Sequence, residues 1–295
     1  MIYFVIVNYY SSDFIASLIR SIQASRGVNY TILIINNSPD DDSIHHLEGD
    51  NIHILEAGSN LGFGQACNLG LNWIYTQDTQ AIVWIINPDA YLLPDALERV
   101  PIFFAANTEV SIVGTIVYTP TGEVWFAGGE LSSKNGEIRA KTIYNNKSEL
   151  PYLESTWVSG CSLLINLKKF HNCPQFDSDY FLYYEDFDFC RRYASQGHLI
   201  AIAHKIGVVH HPSSITSRNL LVKFKHSTYS YLLAVERYAK KKFLILRLTR
   251  LVFHAIILIP VKPQVAFGKL HGILLYLSRV LIISQKPGFS KKPGF

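Results

Sequence analysis

The feature that most constrains this chain is the rhythm of its first hundred residues, where short apolar runs alternate with stretches of helical period. Residues 2–7, 31–35, 52–55 and 81–86 are continuous apolar segments of strand length. Between them, Phe14, Leu18, Ile19 and Ile22 fall on one face of a helix, and residues 63–75 read as a second helix. Pro94 stands where a further helix opens, at a favoured first-turn position. Strands apolar on both faces and separated by helices predict an α/β fold with a mainly parallel sheet flanked by helices. Asn, Gly and Pro follow three of the four strands, at Asn36-Asn37-Ser38-Pro39, Gly58-Ser59-Asn60-Leu61-Gly62 and Asn87-Pro88-Asp89. Ligands of open α/β sheets bind beyond the carboxyl ends of the strands, so these three loops mark the place to look. From residue 110 to 165 the segments shorten and turn residues multiply, which predicts an antiparallel extension.

Charge divides the chain. Residues 1–217 hold 12 Lys and Arg against 22 Asp and Glu, whereas residues 218–295 hold 15 against one acid, Glu236. An acidic body and a basic tail call for different partners. The tail is rich in Leu, Ile and Phe rather than the polar and stacking residues of a nucleic-acid groove, so nucleic acid is not the expected partner and an anionic membrane surface is. Residues 243–261 are nearly apolar but interrupted by Arg247, Arg250 and His254, which falls short of the roughly 20 clean residues of a membrane span. That pattern predicts an amphipathic helix lying in the membrane interface, with a core helix as the alternative. Lys-Pro-Gly-Phe occurs twice in residues 286–295, which are expected to be disordered. The expected organisation is a catalytic domain over residues 1–218, a basic helical region over 219–285 and that tail. The four cysteines form no C-x-x-C pair and fit a reducing cytosol, and residues 1–10 read as a buried strand rather than a signal peptide.

Three constellations can carry chemistry. Asp89, just past a buried strand, is placed to hold a divalent cation against phosphate oxygens, although Asn87-Pro88-Asp89 is also an ordinary Asx-Pro turn. Tyr183-Tyr184-Glu185-Asp186-Phe187-Asp188 sets three carboxylates in four positions among aromatic residues. Acids in a helix's first turn satisfy exposed N–H groups and the helix dipole. Clustered in an apolar setting, they also raise one another's pKa, which suits a general base. His210-His211 follows an apolar run and fits either a metal ligand or a structural pair. The glycines of residues 58–70 match neither a phosphate-binding P-loop nor a dinucleotide fingerprint.

In this order and spacing the motifs resemble the family 2 glycosyltransferases of GT-A fold, in particular a rhamnosyltransferase-like bacterial branch. The resemblance covers roughly residues 1–240. It is carried by Val7-Asn8-Tyr9, Ile35-Asn36-Asn37-Ser38, Asn60-Leu61-Gly62-Phe63-Gly64 with Asn68, Asn87-Pro88-Asp89, Val158-Ser159-Gly160-Cys161, Phe176-Asp177, residues 181–188 and His210. It implies a nucleotide-sugar bound by Val7, Tyr9, Asn36, Asn60, Gly62, Asn87 and Asp89. Many relatives carry Asp where this chain has Asn36, and Asn87 replaces the first acid of the family's Asp-x-Asp motif. It further implies a divalent metal, Mg²⁺ or Mn²⁺, on Asp89 and His210, and an acceptor flanked by Gly160. Asp186 would be the catalytic base, with Glu185 and Asp188 in support. The implied reaction is an inverting transfer, from dTDP-rhamnose on the pattern of that branch, to a glycan or lipid-linked acceptor for surface polysaccharide. The expected location is the cytoplasm, peripheral on the inner face of a bacterial cell membrane. Two other readings stay open on the residues alone: a nucleotidyltransferase, which would need a Gly- and Lys-bearing loop after the first strand, and a non-catalytic scaffold.

Overall fold

The structure, a computed structural model, describes residues 1–132, 134–143, 151–212 and 214–285. The chain divides into two compact units, one of residues 1–133 with 137–215 and the other of residues 216–295 with 134–136. The expected disordered end at 286–295 lies outside the described residues.

In the first unit the apolar runs become strands because they are short and dominated by β-branched residues. They are β1 (Ile2–Asn8), β2 (Tyr30–Asn36), β3 (Ile52–Glu56) and β4 (Ile82–Ile86), paired in parallel in the order β4-β1-β2-β3. Helices α1 (Ser12–Gln23) and α2 (Phe63–Gln77) form the crossovers. Helix α1 buries Ile15, Leu18, Ile19 and Ile22, the face that the sequence period marks. Helix α2 comes close to the sheet because Gly70 lacks a side chain, and a Cβ there would lie 2.9 Å from Val5 Cγ1.

A short strand, β5 (Ala90–Leu92), precedes α3 (Ala96–Ala106). Pro94 therefore stands two residues ahead of that helix rather than in its first turn, and Asp95 between them takes a left-handed conformation. The sheet continues through β6 (Val110–Tyr118), β7 (Val124–Phe126), β10 (Leu153–Glu154) and β11 (Ser162–Asn166), while β8 (Gly129–Leu131) and β9 (Ile138–Ala140) form a separate two-stranded sheet. Helix α4 (Glu185–Ala194) and the long β12 (Leu199–His210) complete the unit. The order of the main sheet is β10-β12-β6-β11-β4-β1-β2-β3. Strand β11 runs antiparallel to both β4 and β6, and so joins the parallel half to the later strands. The seam is pinned in the core, where fully buried Trp84 stacks on Phe4 at 5.2 Å. Its Nε1 donates to Ser162 Oγ at 2.9 Å, and Thr115 Oγ1 donates to the same oxygen at 2.9 Å.

The second unit is helical: α5 (Leu220–Tyr238), α6 (Lys241–Leu258) and α7 (Pro263–Gln285). Its small core sets Leu232 against Ile273 and Tyr276, with Leu248 and Leu251 packed beside them. Helices α5 and α7 approach backbone to backbone at Gly268 and Gly272, where a Cβ would lie 2.6 Å from Leu221 O and 2.4 Å from Lys225 O. Much apolar surface stays outside this core, including Phe253, Ile257, Val261, Phe267 and Leu281. By length and composition, residues Pro263–Ile282 form one helix long and apolar enough to cross a membrane. The apolar stretch singled out in the sequence lies one helix earlier.

The loop entering α2 depends on a glycine. Gly62 has φ +78°, and a Cβ on it would lie 2.1 Å from Phe181 O, the carbonyl that accepts the Phe63 N–H at 3.0 Å. Backbone strain and overpacking both oppose a side chain there. Gly62→Ala is expected to lower stability by at least about 2 kcal/mol, read as a shift of the urea midpoint at unchanged slope.

Candidate active site

The carboxyl ends of β1, β2 and β3 are tied by a polar network. Asn8 Nδ2 donates to Asn36 Oδ1 at 3.0 Å, and Asn8 Oδ1 accepts from the Ser11 N–H at 3.0 Å. Asn36 Nδ2 donates to Glu56 Oε2 at 3.0 Å, and Asn36 is 2% exposed. Asn36 therefore spends its amide on neighbouring strands, and the exposed carboxylate at this edge belongs to Glu56. Val7 is buried at the end of β1, while Tyr9 and Tyr10 stand exposed just beyond it.

The next loop is mostly structural. Asn60 Oδ1 accepts from the Gly62 N–H at 3.0 Å and from Asn37 Nδ2 at 3.1 Å. Asn68 grips the backbone of Phe176 twice, donating to its carbonyl at 2.9 Å and accepting its N–H at 2.7 Å. Residues 60–68 thus hold α2 against the segment that leads into α4.

Asp89 and His210 meet from different elements. Strand β12 pairs antiparallel with β5, so His210 stands opposite Ala90 and beside Asp89. Asp89 Oδ1 lies 3.1 Å from His210 Nε2, and both side chains are 5% exposed. Asp89 is anchored further by the Ser214 hydroxyl, which donates to Oδ2, and by the His211 N–H, which donates to its carbonyl at 3.0 Å. Trp125 packs edge-on against the His210 ring, with centroids 5.0 Å apart. Asn87 Nδ2 lies 3.4 Å from His210 Nε2.

Ligands at adjacent corners of an octahedral shell with bonds of about 2.1 Å are separated by roughly 3 Å. The Asp89–His210 pair has that spacing, so it fits a small divalent cation when Nε2 is unprotonated. Among the described residues no group of three or more His, Cys, Asp and Glu side chains comes together. Most of the shell would then fall to substrate oxygens and water, as is usual for Mg²⁺ at a diphosphate.

The acids of the third constellation separate in space. Helix α4 is entered through Tyr183 and Tyr184, both left-handed at φ 70° and 65°. Glu185 is 6% exposed and faces α2, where a Cβ on Gly64 would lie 3.5 Å from its own Cβ. Asp186 turns the other way, to Gly160. Its Oδ2 accepts the Gly160 N–H at 2.8 Å and its Oδ1 the Phe187 N–H at 2.8 Å. Asp188 is fully buried and accepts from Arg192 Nε at 2.6 Å, and Arg192 also donates to the Gln175 carbonyl at 2.7 Å. Asp188 is therefore committed to packing α4 through Arg192. Burial pushes the carboxyls of Glu185 and Asp186 up from the ordinary range, and in Glu185 the charge of Asp186 adds to the rise.

Residues 160 and 161 join the two halves of the site. Gly160 donates to Asp186, while the Cys161 carbonyl accepts the Asn87 N–H at 2.9 Å. The buried Cys161 thiol feels both acids, since burial raises its pKa and the charges of Asp89 and Asp186 raise it further. A Cβ on Gly160 would lie 3.1 Å from the Phe63 ring and 3.4 Å from Asp186 Cβ, so glycine leaves room for the acid. Ser214 and Glu56 complete the arrangement. Neither carries a sequence signal, because each finds its partner only through the fold.

The first unit thus sets a polar carboxyl edge, a buried Asp–His pair and an acid bonded to a backbone N–H on one α/β sheet. A profile of the glycosyl transferase family 2 matches residues 3–170, and the chain belongs to that family as a glycosyltransferase. It is 26% identical over 205 residues to the N-acetylglucosaminyl-diphospho-decaprenol L-rhamnosyltransferase of Mycobacterium tuberculosis, covering 62% of this chain and 67% of that protein. With the rhamnosyltransferase WbbL of Escherichia coli it shares 24% identity over 262 residues, 79% of this chain and 92% of the relative. Its fold is similar to GalNAc-T7, solved with UDP, GalNAc and Mn²⁺, with a TM-score of 0.63 at 11% identity. That likeness takes in 97% of this chain and 58% of GalNAc-T7. It is also similar to the mannosyltransferase PcManGT from Pyrobaculum calidifontis, in complex with GDP-Man and Mn²⁺, with a TM-score of 0.54 at 12% identity over 97% of this chain and 88% of the other. The fold is GT-A.

Two stability measurements separate the acids. Raised folded-state pKa values mean that ionising Glu185 and Asp186 opposes folding. Their penalty is absent below the ordinary carboxylate range and grows as pH rises above it. Glu185→Gln is therefore expected to stabilise the protein at pH 7 and to change little at pH 4, measured by urea unfolding at both. Asp188→Asn leaves Arg192 without its anion and is expected to cost about 2 kcal/mol, less than a fully buried pair because Arg192 is partly exposed.

Proposed function

We propose that this chain transfers L-rhamnose from dTDP-rhamnose, with inversion, to a hydroxyl of a glycan or lipid-linked acceptor during bacterial surface polysaccharide synthesis. We assign the transfer to residues 1–218. The observation that carries the reaction class is the pair of bonds at residues 160 and 161, which hold Asp186 and the Asn87-Pro88-Asp89 turn on consecutive residues. A base and a leaving-group site held at that spacing suit a single displacement.

In this reading the base of the nucleotide and its ribose lie along Val7, Tyr9 and Asn36, with Glu56 supplying the exposed carboxylate beside Asn36. Asn60 and Gly62 shape the loop above them, and Asn87 and Asp89 face the diphosphate. The acceptor enters past Gly160. Asp186 takes the acceptor proton as the hydroxyl oxygen attacks the anomeric carbon, and the bond from that carbon to the phosphate oxygen breaks. Its two oxygens are already fixed by the Gly160 and Phe187 N–H groups, so the carboxylate does not have to reorganise. Its burial, which raises the pKa, makes it a stronger base than an exposed aspartate. Glu185 stands beside it at the start of α4 in a supporting role, and Asp188 fixes α4 through Arg192. A divalent cation, Mg²⁺ or Mn²⁺, held by Asp89 and His210 would offset charge developing on the departing nucleoside diphosphate.

The donor sugar is supported by the names of the two relatives, both rhamnosyltransferases, and a lipid-linked acceptor by the name of the first. A cytoplasmic enzyme attached to the inner face of the cell membrane through residues 219–285 is supported by the 11 Lys and Arg of that stretch against one acid and by its exposed apolar side chains.

Release of nucleoside diphosphate from a panel of dTDP-, UDP- and GDP-sugars tests the assignment. Asp186→Asn is expected to lower kcat by about 10²- to 10⁴-fold with little change in donor KM, and turnover equal to wild type would remove Asp186 as the base. A UDP- or GDP-sugar turned over in preference to dTDP-rhamnose would overturn the donor. Chelation by EDTA is expected to abolish activity and added Mg²⁺ or Mn²⁺ to restore it.

A further inference from the structure

The second unit contains a cleft that sugar transfer does not use. It measures about 690 Å³ and is lined by Phe224 of α5, Leu258 of α6 and Val265 of α7, with His254, Lys262 and Lys269 among them. No acid lines it. The single acid of residues 218–295, Glu236, is paired with Arg279 at 2.9 Å. The Lys269 ammonium lies 5.2 Å from the centre of the Phe224 ring, and burial lowers its pKa from the ordinary lysine value. Half-burying an ammonium with no anion nearby is costly unless an anion comes from outside. The cleft also takes in the first turn of α7, whose leading N–H groups add to the positive field.

The border of the cleft names the anion's carrier. Phe253, Ile257 and Val261 are 67%, 53% and 71% exposed, and each is the chain neighbour of a cleft residue, His254, Leu258 and Lys262. A pocket for a soluble phosphate has no need of large apolar side chains held out in water beside it. A lipid phosphate does, because the group arrives attached to acyl chains. Exposed apolar patches of this kind mark interaction surfaces.

We propose that the cleft beside the α6–α7 turn seats the phosphate of an anionic membrane phospholipid between Lys262 and Lys269, while Phe253, Ile257 and Val261 enter the acyl boundary. This deepens the membrane attachment put forward above and rests on it.

The test uses the full chain and sucrose-loaded vesicles of phosphatidylcholine, with and without phosphatidylglycerol. Wild type is expected to sediment with the phosphatidylglycerol vesicles. Lys262→Gln with Lys269→Gln is expected to weaken that binding by about tenfold or more, and Lys241→Gln with Lys242→Gln, an equal loss of charge at the start of α6, by less than about threefold. Lys269→Arg, which keeps the charge, is expected to bind as wild type does, and all variants to release nucleoside diphosphate at the wild-type rate. Equal losses in the two double variants would overturn the cleft and leave a diffuse electrostatic attachment. No sedimentation of wild type with either vesicle would overturn the attachment as well. Binding of free glycerol 3-phosphate as tight as binding to the vesicles, and lost in Lys262→Gln with Lys269→Gln, would make this a soluble-phosphate site and overturn the lipid.

Discussion

Two hydrogen bonds made by the backbone of neighbouring residues hold the candidate site together. The Gly160 N–H fixes Asp186 and the Cys161 carbonyl fixes Asn87, so acids that stand 97 positions apart in sequence share one rigid reference. The reference is rigid because it leads straight into β11, which is fully buried and bonded on both sides to β4 and β6. Everything else in the first unit serves that junction. Trp84 and Thr115 pin β11 through Ser162, the residue after Cys161. Asn68 and Gly62 bring α2 against the chain that delivers α4. Turns braced by a buried strand keep Asp186 and Asp89 in register with each other.

The acids of α4 show how one short motif is divided among three tasks by helical geometry. Successive residues on a helix point about 100° apart, so Glu185, Asp186 and Asp188 face α2, the Gly160 turn and Arg192 respectively. Two glycines make the first two of these possible, Gly64 under Glu185 and Gly160 beside Asp186. The turn into the helix is left-handed at both tyrosines, a conformation that costs roughly 1–3 kcal/mol for each residue outside glycine. Strain of that kind is tolerated where it sets the direction of a functional helix.

Much of this was legible in the sequence. The apolar runs predicted β1 to β4 within one residue at each end, because β-branched residues and turn punctuation agree there. The family resemblance was legible in motifs whose spacing survives at low identity. What could not be read is what depends on pairing between distant elements. Nothing near Asn36 indicates that Glu56 faces it, since that follows from the register of β2 on β3. Nothing near Asp89 indicates Ser214, 125 positions later. The three acids of α4 look equivalent as a string and separate only once the helix is surrounded. Strand β5 was too short to signal itself, and helix α7 carries an apolar stretch as long as the one that drew attention in α6.

Strand β12 carries a consequence for how this enzyme can vary. His210 is its last residue, eleven positions from Leu199, and side chains alternate between the two faces of the sheet on either side of the irregularity between Ala203 and Gly207. A single residue gained or lost ahead of His210 would turn the imidazole to the opposite face and away from Asp89. The pairing with β6 shifts register between Leu199 and Ile200 and between Ala203 and Gly207, and the second shift is where such an odd residue can be absorbed. Lineages of this protein can therefore drift in the length of β12 only by pairs of residues, or by rebuilding that irregularity. The parity of one strand thus decides whether the Asp89–His210 pair can form at all.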